Sequence, residues 1–276
     1  MYRTARRQLG PLVAKRFAVA FLLGALSVVG ACKGFETNLQ DTEVSLQETA
    51  RQNYEAGEKM LEASRYVEAI KYFEHVKNKY PYSKYAVLAE LRIADADFAR
   101  EKWIEAADAY RIFVRFHPRH EKVAYATFRT ALAYHKEIDE DVWFLPAARE
   151  KDQSAAREAI RAFDDYLLRF PEDEHAKEAK DLRTAARGRL AETDLYIAEF
   201  YVERARWQGA VWRFERVGRE LHDTPQAAHA LLRAAQIADS ELHQKEDALR
   251  LYRQVLREHP DAPEAATAKS ALALLQ

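Results

Sequence analysis

The stretch AIKYFEHVKNKYP, residues 69–81, carries the pattern that decides the fold. Ala69 is followed four residues later by the aromatic Phe73, and eight residues after that by Pro81. Residues four apart share one face of a helix, so a small side chain that admits a neighbouring helix lies beside a large one that fills the gap. Proline cannot supply the next backbone N–H and ends a helix. The stretch therefore predicts a closely packed helix that stops at Pro81.

The same pattern occurs in four further copies, one of which has His222 in place of the proline. Their alanine–aromatic pairs are Ala106–Tyr110, Ala159–Phe163, Ala210–Phe214 and Ala248–Tyr252. Successive alanines are 37, 53, 51 and 38 residues apart. The two long intervals predict an insertion at Ile138–Gln153 and a lengthened helix within His175–Arg204.

A second helical segment precedes each copy, for example Gln52–Ala63 before the first. Helix pairs repeated at about 34 residues resemble the tetratricopeptide repeat. In that family Ala56 and Gly57 would lie at the close contact between the two helices of a pair. We predict an all-α protein, an α-solenoid of about five tetratricopeptide-like helix pairs. A C-terminal capping helix from Pro263 to Leu275 would cover the exposed end of the stack.

The first 31 residues are typical of a targeting segment. They carry five basic and no acidic residues, and Phe17–Val29 is a run of 13 uncharged residues, shorter than the about 20 that a membrane-spanning helix needs. Val29-Gly30-Ala31-Cys32 then resembles a bacterial lipobox, and Cys32 is the only cysteine of the chain. The resemblance implies cleavage before Cys32, lipidation of Cys32 with acyl chains such as palmitate, and a stable membrane anchor. The alternative is a soluble secreted protein with an incidental thiol.

The expected organisation has four parts. They are the signal peptide 1–31, the lipidated cysteine and tether 32–46, repeats one and two with the first helix of repeat three over 47–138, and the insertion, the rest of repeat three, repeats four and five and the capping helix over 139–276. Within the last part, we predict Thr224 to be the N-cap of a helix with Pro225 at its first position.

The charge balance bears on the kind of partner. The leader holds five of the 43 basic residues and none of the 44 acidic ones, so its loss takes the net charge from −1 to −6. A mildly acidic chain is a poor candidate for contacts with a phosphate backbone, and we expect no nucleic-acid partner.

The sequence offers no motif for catalysis or for a cofactor. His117 and His120 flank Pro118, and His120-Glu121 lacks the second histidine of a helical zinc site. No nucleophile elbow, phosphate loop or dinucleotide fingerprint occurs. We therefore predict neither an enzyme nor a metal or cofactor site, but a scaffold that binds other polypeptides.

Three segments resemble the BamD family beyond the generic repeat: YPYSKY at Tyr80–Tyr85, EKDQSAAREAIRAFDDY at Glu150–Tyr166, and RLAETDLYIAEFYVERARWQGAVWRFE at Arg189–Glu215. Repeat five and the last helix match only as generic repeats.

The resemblance implies an outer-membrane lipoprotein on the periplasmic face, acting in the β-barrel assembly machinery. The implied partners are a BamA-like barrel protein bound through a POTRA domain, other lipoproteins of the machinery, and unfolded outer-membrane proteins. Lys33, where enteric inner-membrane lipoproteins carry Asp, agrees with the outer membrane. The alternatives are another tetratricopeptide lipoprotein, such as a pilus-secretin pilotin or a cell-wall coordinator, and an envelope enzyme.

Two groups of residues are candidate binding sites. Tyr80, Tyr82 and Tyr85 lie at the junction of repeats one and two, where they would bind an extended segment of a barrel substrate; alternatively they pack the junction.

On repeat four, a helical wheel places Trp212, Arg213 and Arg216 away from the face that contains Ala210 and Phe214. Trp and Arg are frequent interface anchors, so these three are predicted to dock on an acidic patch of the barrel protein. The family resemblance also places Arg213 on the side that faces the POTRA domain. The alternative is that a neighbouring helix covers Trp212.

Overall fold

The computed structural model describes residues 44–138 and 148–275, which contain eleven α-helices, one 3-10 turn and no strand. The signal peptide, Cys32 and most of the tether lie outside the described residues, as do residues 139–147 of the expected insertion. In the described part of the chain, none of the helices combines the length and apolarity that crossing a bilayer requires.

The helices follow one another with short connections, apart from the segment between the fifth and the sixth. They are α1 (Ala50–Glu62), α2 (Tyr66–Lys79), α3 (Lys84–Ala99), α4 (Trp103–Phe116), α5 (Val123–Lys136), the 3-10 turn Ala148–Glu150, α6 (Ser154–Arg169), α7 (Ala176–Glu203), α8 (Trp207–Glu220), α9 (Gln226–Ser240), α10 (Lys245–Glu258) and α11 (Pro263–Leu275).

Each α-helix packs against the next one along the chain, and α1, α7 and α9 also contact α3, α9 and α11 respectively. Helices α1 to α10 thus form five pairs, and α11 packs on α10 and α9 at the end of the stack. The predicted α-solenoid of five pairs with a C-terminal capping helix is confirmed. The lengthened helix of repeat four is confirmed as well, since α7 has 28 residues.

The repeated alanine–aromatic pattern builds the core. All five alanines have no exposed surface, and the aromatic partners Phe73, Tyr110, Phe163 and Phe214 are equally buried, with Tyr252 at 3%. Burying one side chain of this size stabilises the fold by about 2 kcal/mol. The same sequence signal therefore supplies one core layer to each pair, and the layers join into successive clusters along the stack.

Gly57 marks the closest approach within the first pair. A Cβ at this position would lie 2.6 Å from Cε1 of Phe73, whose ring is fully buried. Only glycine lets the backbone of α1 come this close to the ring. The predicted role of Gly57 at the close contact is confirmed.

In the part of the chain that the structure describes, four helix pairs turn through a residue in the left-handed conformation that is not glycine. Ser64, Glu101, Ala205 and His243 have φ between 52° and 61°, and each precedes its repeat alanine by five residues. Such a conformation costs about 1 kcal/mol in an L-residue. The sequence does not mark these turns because glycine, the usual signal, is absent from them.

The prediction for Thr224 is wrong. Helix α9 begins at Gln226 with Pro225 in the cap position and without a side-chain cap. The Thr224 hydroxyl instead donates to the carbonyl oxygen of Leu221 at 2.7 Å, and the residue is buried. Because the chain turns back tightly after α8, the hydroxyl closes that turn and is not available to the following helix.

Candidate interaction surfaces

Helix α8 has two different faces. Ala210, Phe214 and Val217 face the core and have no exposed surface. The side chain of Trp212 lies on another face and is 53% exposed, which is unusual for the largest apolar side chain. No helix of the described residues covers the indole completely, so it is accessible to a partner.

A buried carboxylate from α7 holds the two arginines beside Trp212. Asp194 is 6% exposed and accepts a hydrogen bond from Nη1 of Arg213 at 3.0 Å, while its second oxygen lies 3.4 Å from Nη2 of Arg216. Arg216 also donates to Glu220 at 3.1 Å, and the Arg213 guanidinium lies 5.3 Å from the centre of the Trp212 ring. Trp212, Arg213 and Arg216, on the Asp194 carboxylate, form what we call the Trp212 patch.

Asp194 was missed by sequence reasoning, although a signal for it exists. It follows Ala191 by three residues and precedes Ala198 by four, and both alanines are fully buried. An acidic residue on the buried face of a helix needs a partner of opposite charge, because burying an unpaired charge costs free energy. The two arginines 19 and 22 residues further along are that partner.

The structure does not bring the three N-terminal tyrosines together as one exposed cluster. Tyr82 is fully exposed. The Tyr80 hydroxyl donates to the carbonyl oxygen of Glu48 at 2.7 Å, and the Tyr85 ring packs against Tyr54 with ring centres 5.5 Å apart. Tyr80 and Tyr85 therefore pack the junction between the first two pairs, and only Tyr82 presents its whole side chain to solvent.

A buried polar network ties the first three pairs together around Asp95. This carboxylate accepts hydrogen bonds from the hydroxyls of Tyr110 (2.6 Å) and Tyr125 (2.8 Å) and from Nη1 of Arg92 (2.9 Å). Arg92 also binds Glu58 of α1. Burial, together with the nearby Asp95 charge, raises the pKa of Tyr125 to about 12 and that of Tyr110 further still. Both hydroxyls therefore keep their protons and remain donors.

The histidines considered as metal ligands have other partners. Nε2 of His117 lies 2.8 Å from a carboxylate oxygen of Glu90, and Nδ1 of His120 accepts a hydrogen bond from the backbone N–H of Lys122. Over residues 44–138 and 148–275, no group of three or more His, Cys, Asp or Glu side chains could hold a metal ion.

Solved structures similar to this chain include the TPR2AB domain of yeast Sti1 with pHSP90, at 15% identity and a TM-score of 0.38, covering 82% of this chain and 83% of that one. A thermophilic tetratricopeptide-repeat protein of Thermus thermophilus has 18% identity and a TM-score of 0.35, covering 82% of this chain and 100% of its own.

Curated relatives share the name outer membrane protein assembly factor BamD. The protein of Vibrio cholerae is 26% identical over 210 residues, covering 75% of this chain and 84% of its own length. That of Rickettsia prowazekii is 27% identical over 212 residues, covering 77% and 81%. That of Caulobacter vibrioides is 26% identical over 215 residues, covering 78% and 67%.

The family model described as YfiO, outer membrane lipoprotein, matches residues 46–253. This range contains all five helix pairs except the end of α10, and it includes the Trp212 patch and the N-terminal tyrosines. Since the match covers well over half of the chain, the protein is a member of the YfiO (BamD) family of outer-membrane lipoproteins.

Proposed function

We propose that this protein is a non-enzymatic scaffold of the β-barrel assembly machinery, lipid-anchored at the periplasmic face of the outer membrane. There it binds a BamA-like barrel protein through a POTRA domain, together with other lipoproteins of the machinery, and helps to fold and insert unfolded outer-membrane proteins. The proposal is supported by the family match over residues 46–253 and by the names of the relatives, which are assembly factors for outer-membrane proteins.

The partner assignment depends on one observation: the exposed indole of Trp212 lies beside an arginine that a buried carboxylate holds in place. Asp194 fixes the guanidinium of Arg213, and this guanidinium in turn lies against the indole. A large apolar side chain that is already held in place loses little conformational entropy on binding, which favours affinity. Tryptophan and arginine are also the residue types that most often dominate the binding energy of an interface.

The apolar and the charged side chains of the Trp212 patch have different roles in binding. Arg213 and Arg216 share one buried carboxylate, and Glu220 interacts with both Arg216 and Arg219. Three cations thus face two anions, which leaves a small positive excess. The indole therefore supplies most of the affinity, and the arginines orient the acidic partner surface.

Trp212→Ala should weaken binding to the BamA-like protein at least about tenfold, since it removes the central apolar anchor. The melting temperature and helical circular dichroism should stay unchanged, because the side chain is more than half exposed. Co-purification from detergent-solubilised membranes, followed by titration of the purified POTRA domain, measures the effect. Tyr82→Ala is the matched control, an exposed aromatic in another repeat that should leave this binding intact. Full binding by the Trp212→Ala variant would remove the patch from the interface.

The membrane anchor rests on Cys32, which lies outside the described residues. Cys32→Ala should abolish labelling by a clickable fatty acid and move the protein from the membrane fraction to the soluble one, because the anchor is the lipid on that sulfur. Cys32→Ser is a second variant with the same expected result. Equal labelling of either variant and the parent chain would contradict lipidation at this residue.

Binding of barrel substrates near the first helix pairs remains a prediction. Tyr82 is the member of the tyrosine group with its side chain available for such a contact, since Tyr80 and Tyr85 serve the packing of the junction.

A further inference from the structure

A groove of about 630 Å³ lies between α4 and α6, with α5 as its floor. We call it the α4–α6 groove. It belongs to the second and third helix pairs and shares no residue with the Trp212 patch. Ile112 on its α4 wall is 46% exposed, and Ala162 lies on the α6 wall.

On the floor of the groove, the polar side chains make hydrogen bonds within the protein. The hydroxyls of Thr127 and Thr130 donate to the carbonyl oxygens of Val123 and Ala126 in their own helix. The Tyr134 hydroxyl accepts a hydrogen bond from Arg111 at 2.9 Å. These polar groups already have partners within the protein, so an occupant of the groove is recognised by its apolar face and by the charges on the two walls.

The charged side chains on the two walls differ between one end of the groove and the other. Helices α4 and α6 both run antiparallel to α5, so their N-terminal halves meet at one end, where Asp108 and Glu158 lie. Their C-terminal ends meet at the other, where Arg115 and Arg169 lie. Arg115 is exposed and stacks on Phe116 without a carboxylate of the described residues within ion-pairing distance.

The remaining charges of the groove lie between these two ends or pair along its walls. Arg111 is 3.5 Å from Asp108, Arg161 is 2.6 Å from Glu158, and Asp165 is 3.1 Å from Arg169. The groove therefore runs from an end with two ion-paired carboxylates, Asp108 and Glu158, to an end where Arg115 leaves a small positive excess.

We propose that the α4–α6 groove docks an amphipathic α-helix of a partner polypeptide, antiparallel to α4 and α6, with acidic residues in its first turn and basic residues in its last turn. In this orientation the acidic turn meets Arg115 and Arg169, and the basic turn meets Asp108 and Glu158. The same placement of charges stabilises any helix through its own dipole. A helix in the opposite orientation would need basic residues at its N-terminus, which its dipole disfavours.

A helix also fits the walls better than an extended segment does. The walls are themselves helices and present no sheet edge, and the hydroxyls on the floor already have partners. An extended backbone would leave its N–H and C=O groups unpaired there, whereas a helix satisfies them internally. From Asp108 to Arg115 the groove spans about 10 Å, and from Glu158 to Arg169 about 16 Å, which corresponds to two to three helical turns.

The proposal is tested with two fluorescent synthetic peptides of 14 residues, about four turns, so that the first and the last turn of each reach the two ends of the groove. Both carry leucines on one face and a staple on the opposite face that equalises helicity. One has Glu in the first turn and Lys in the last, and the other has these charges exchanged. Fluorescence anisotropy against the full lipidated chain in detergent should show the first peptide binding at least about tenfold more tightly.

Variants then locate the binding. Ile112→Asp should weaken the first peptide at least about tenfold, whereas Leu274→Asp, at an exposed leucine of α11, should have no effect. Exchanging the wall charges, with Asp108→Lys and Glu158→Lys together with Arg115→Glu and Arg169→Glu, should invert the preference between the peptides. If that variant does not fold by circular dichroism, Arg115→Glu alone should reduce the preference at least about threefold.

Equal affinity for the two peptides, or binding that Ile112→Asp leaves unchanged, would overturn the proposal. So would sedimentation of the wild type as a dimer that Ile112→Asp dissociates, because the occupant would then be a second copy of this chain.

Discussion

Replacing Asp95 with alanine should lower the free energy of unfolding by about 3 kcal/mol. The change removes the acceptor of the Tyr110 hydroxyl, which has no exposed surface, and of the Tyr125 hydroxyl. It also leaves Arg92 with Glu58 as its remaining carboxylate partner. Because the network joins α1, α3, α4 and α5, the substitution weakens the contacts between the first three helix pairs. Urea denaturation followed by circular dichroism measures it.

Two further variants make this measurement specific. Asp108→Ala removes an exposed ion pair with Arg111, three residues further along α4, and should change stability by no more than about 0.5 kcal/mol. Hydrogen exchange of Asp95→Ala should lose protection mainly in α1 to α5, since a solenoid transmits instability to its nearest neighbours. A stability loss equal to that of Asp108→Ala would mean that the network is dispensable.

Arg213→Glu should destabilise the fourth helix pair by about 2 kcal/mol, in addition to any effect on partner binding. Arg213 is 23% exposed and its Nη1 lies 3.0 Å from Asp194. The substitution brings a second carboxylate next to a buried one and leaves Arg216 to neutralise both. Thermal melting and urea denaturation should both detect the change.

The control and the rescue for this variant lie close by. Arg219→Glu, on the same helix but 67% exposed and paired with Glu220, should leave the melting temperature nearly unchanged. The exchanged pair Arg213→Glu with Asp194→Arg should recover part of the lost stability, because opposite charges face each other again. An unchanged melting temperature for Arg213→Glu alone would show that the Asp194 contact contributes nothing. Because Arg213 has this structural role, Trp212→Ala is the cleaner probe of the interface.

The helix pairs and most of their core could be predicted from the sequence because the signal is local and repeated. An alanine and an aromatic residue four apart lie on one helix face whatever the rest of the chain does, and five copies of that spacing fixed the number of pairs. The long α7 followed from the intervals between the copies, and the close contact at Gly57 followed from the resemblance to the tetratricopeptide repeat. Exposure of Trp212 also agreed with the helical wheel, since the face opposite Ala210 and Phe214 can be assigned within one helix.

The tertiary structure alone decided the features that depend on residues distant in the chain. Asp194 lies one helix away from Arg213, and Tyr80 meets Glu48 of the N-terminal segment, so an apparent cluster of three tyrosines separated into two packed rings and an exposed one. Thr224 formed a bond backward to Leu221 and not forward to α9, since the turn after α8 set its direction. A left-handed backbone conformation occurs at Ser64, Glu101, Ala205 and His243. None of the four is glycine, so this conformation could not be predicted from the sequence. The α4–α6 groove arises from three helices, and only their packing places the acidic ends of two helices side by side.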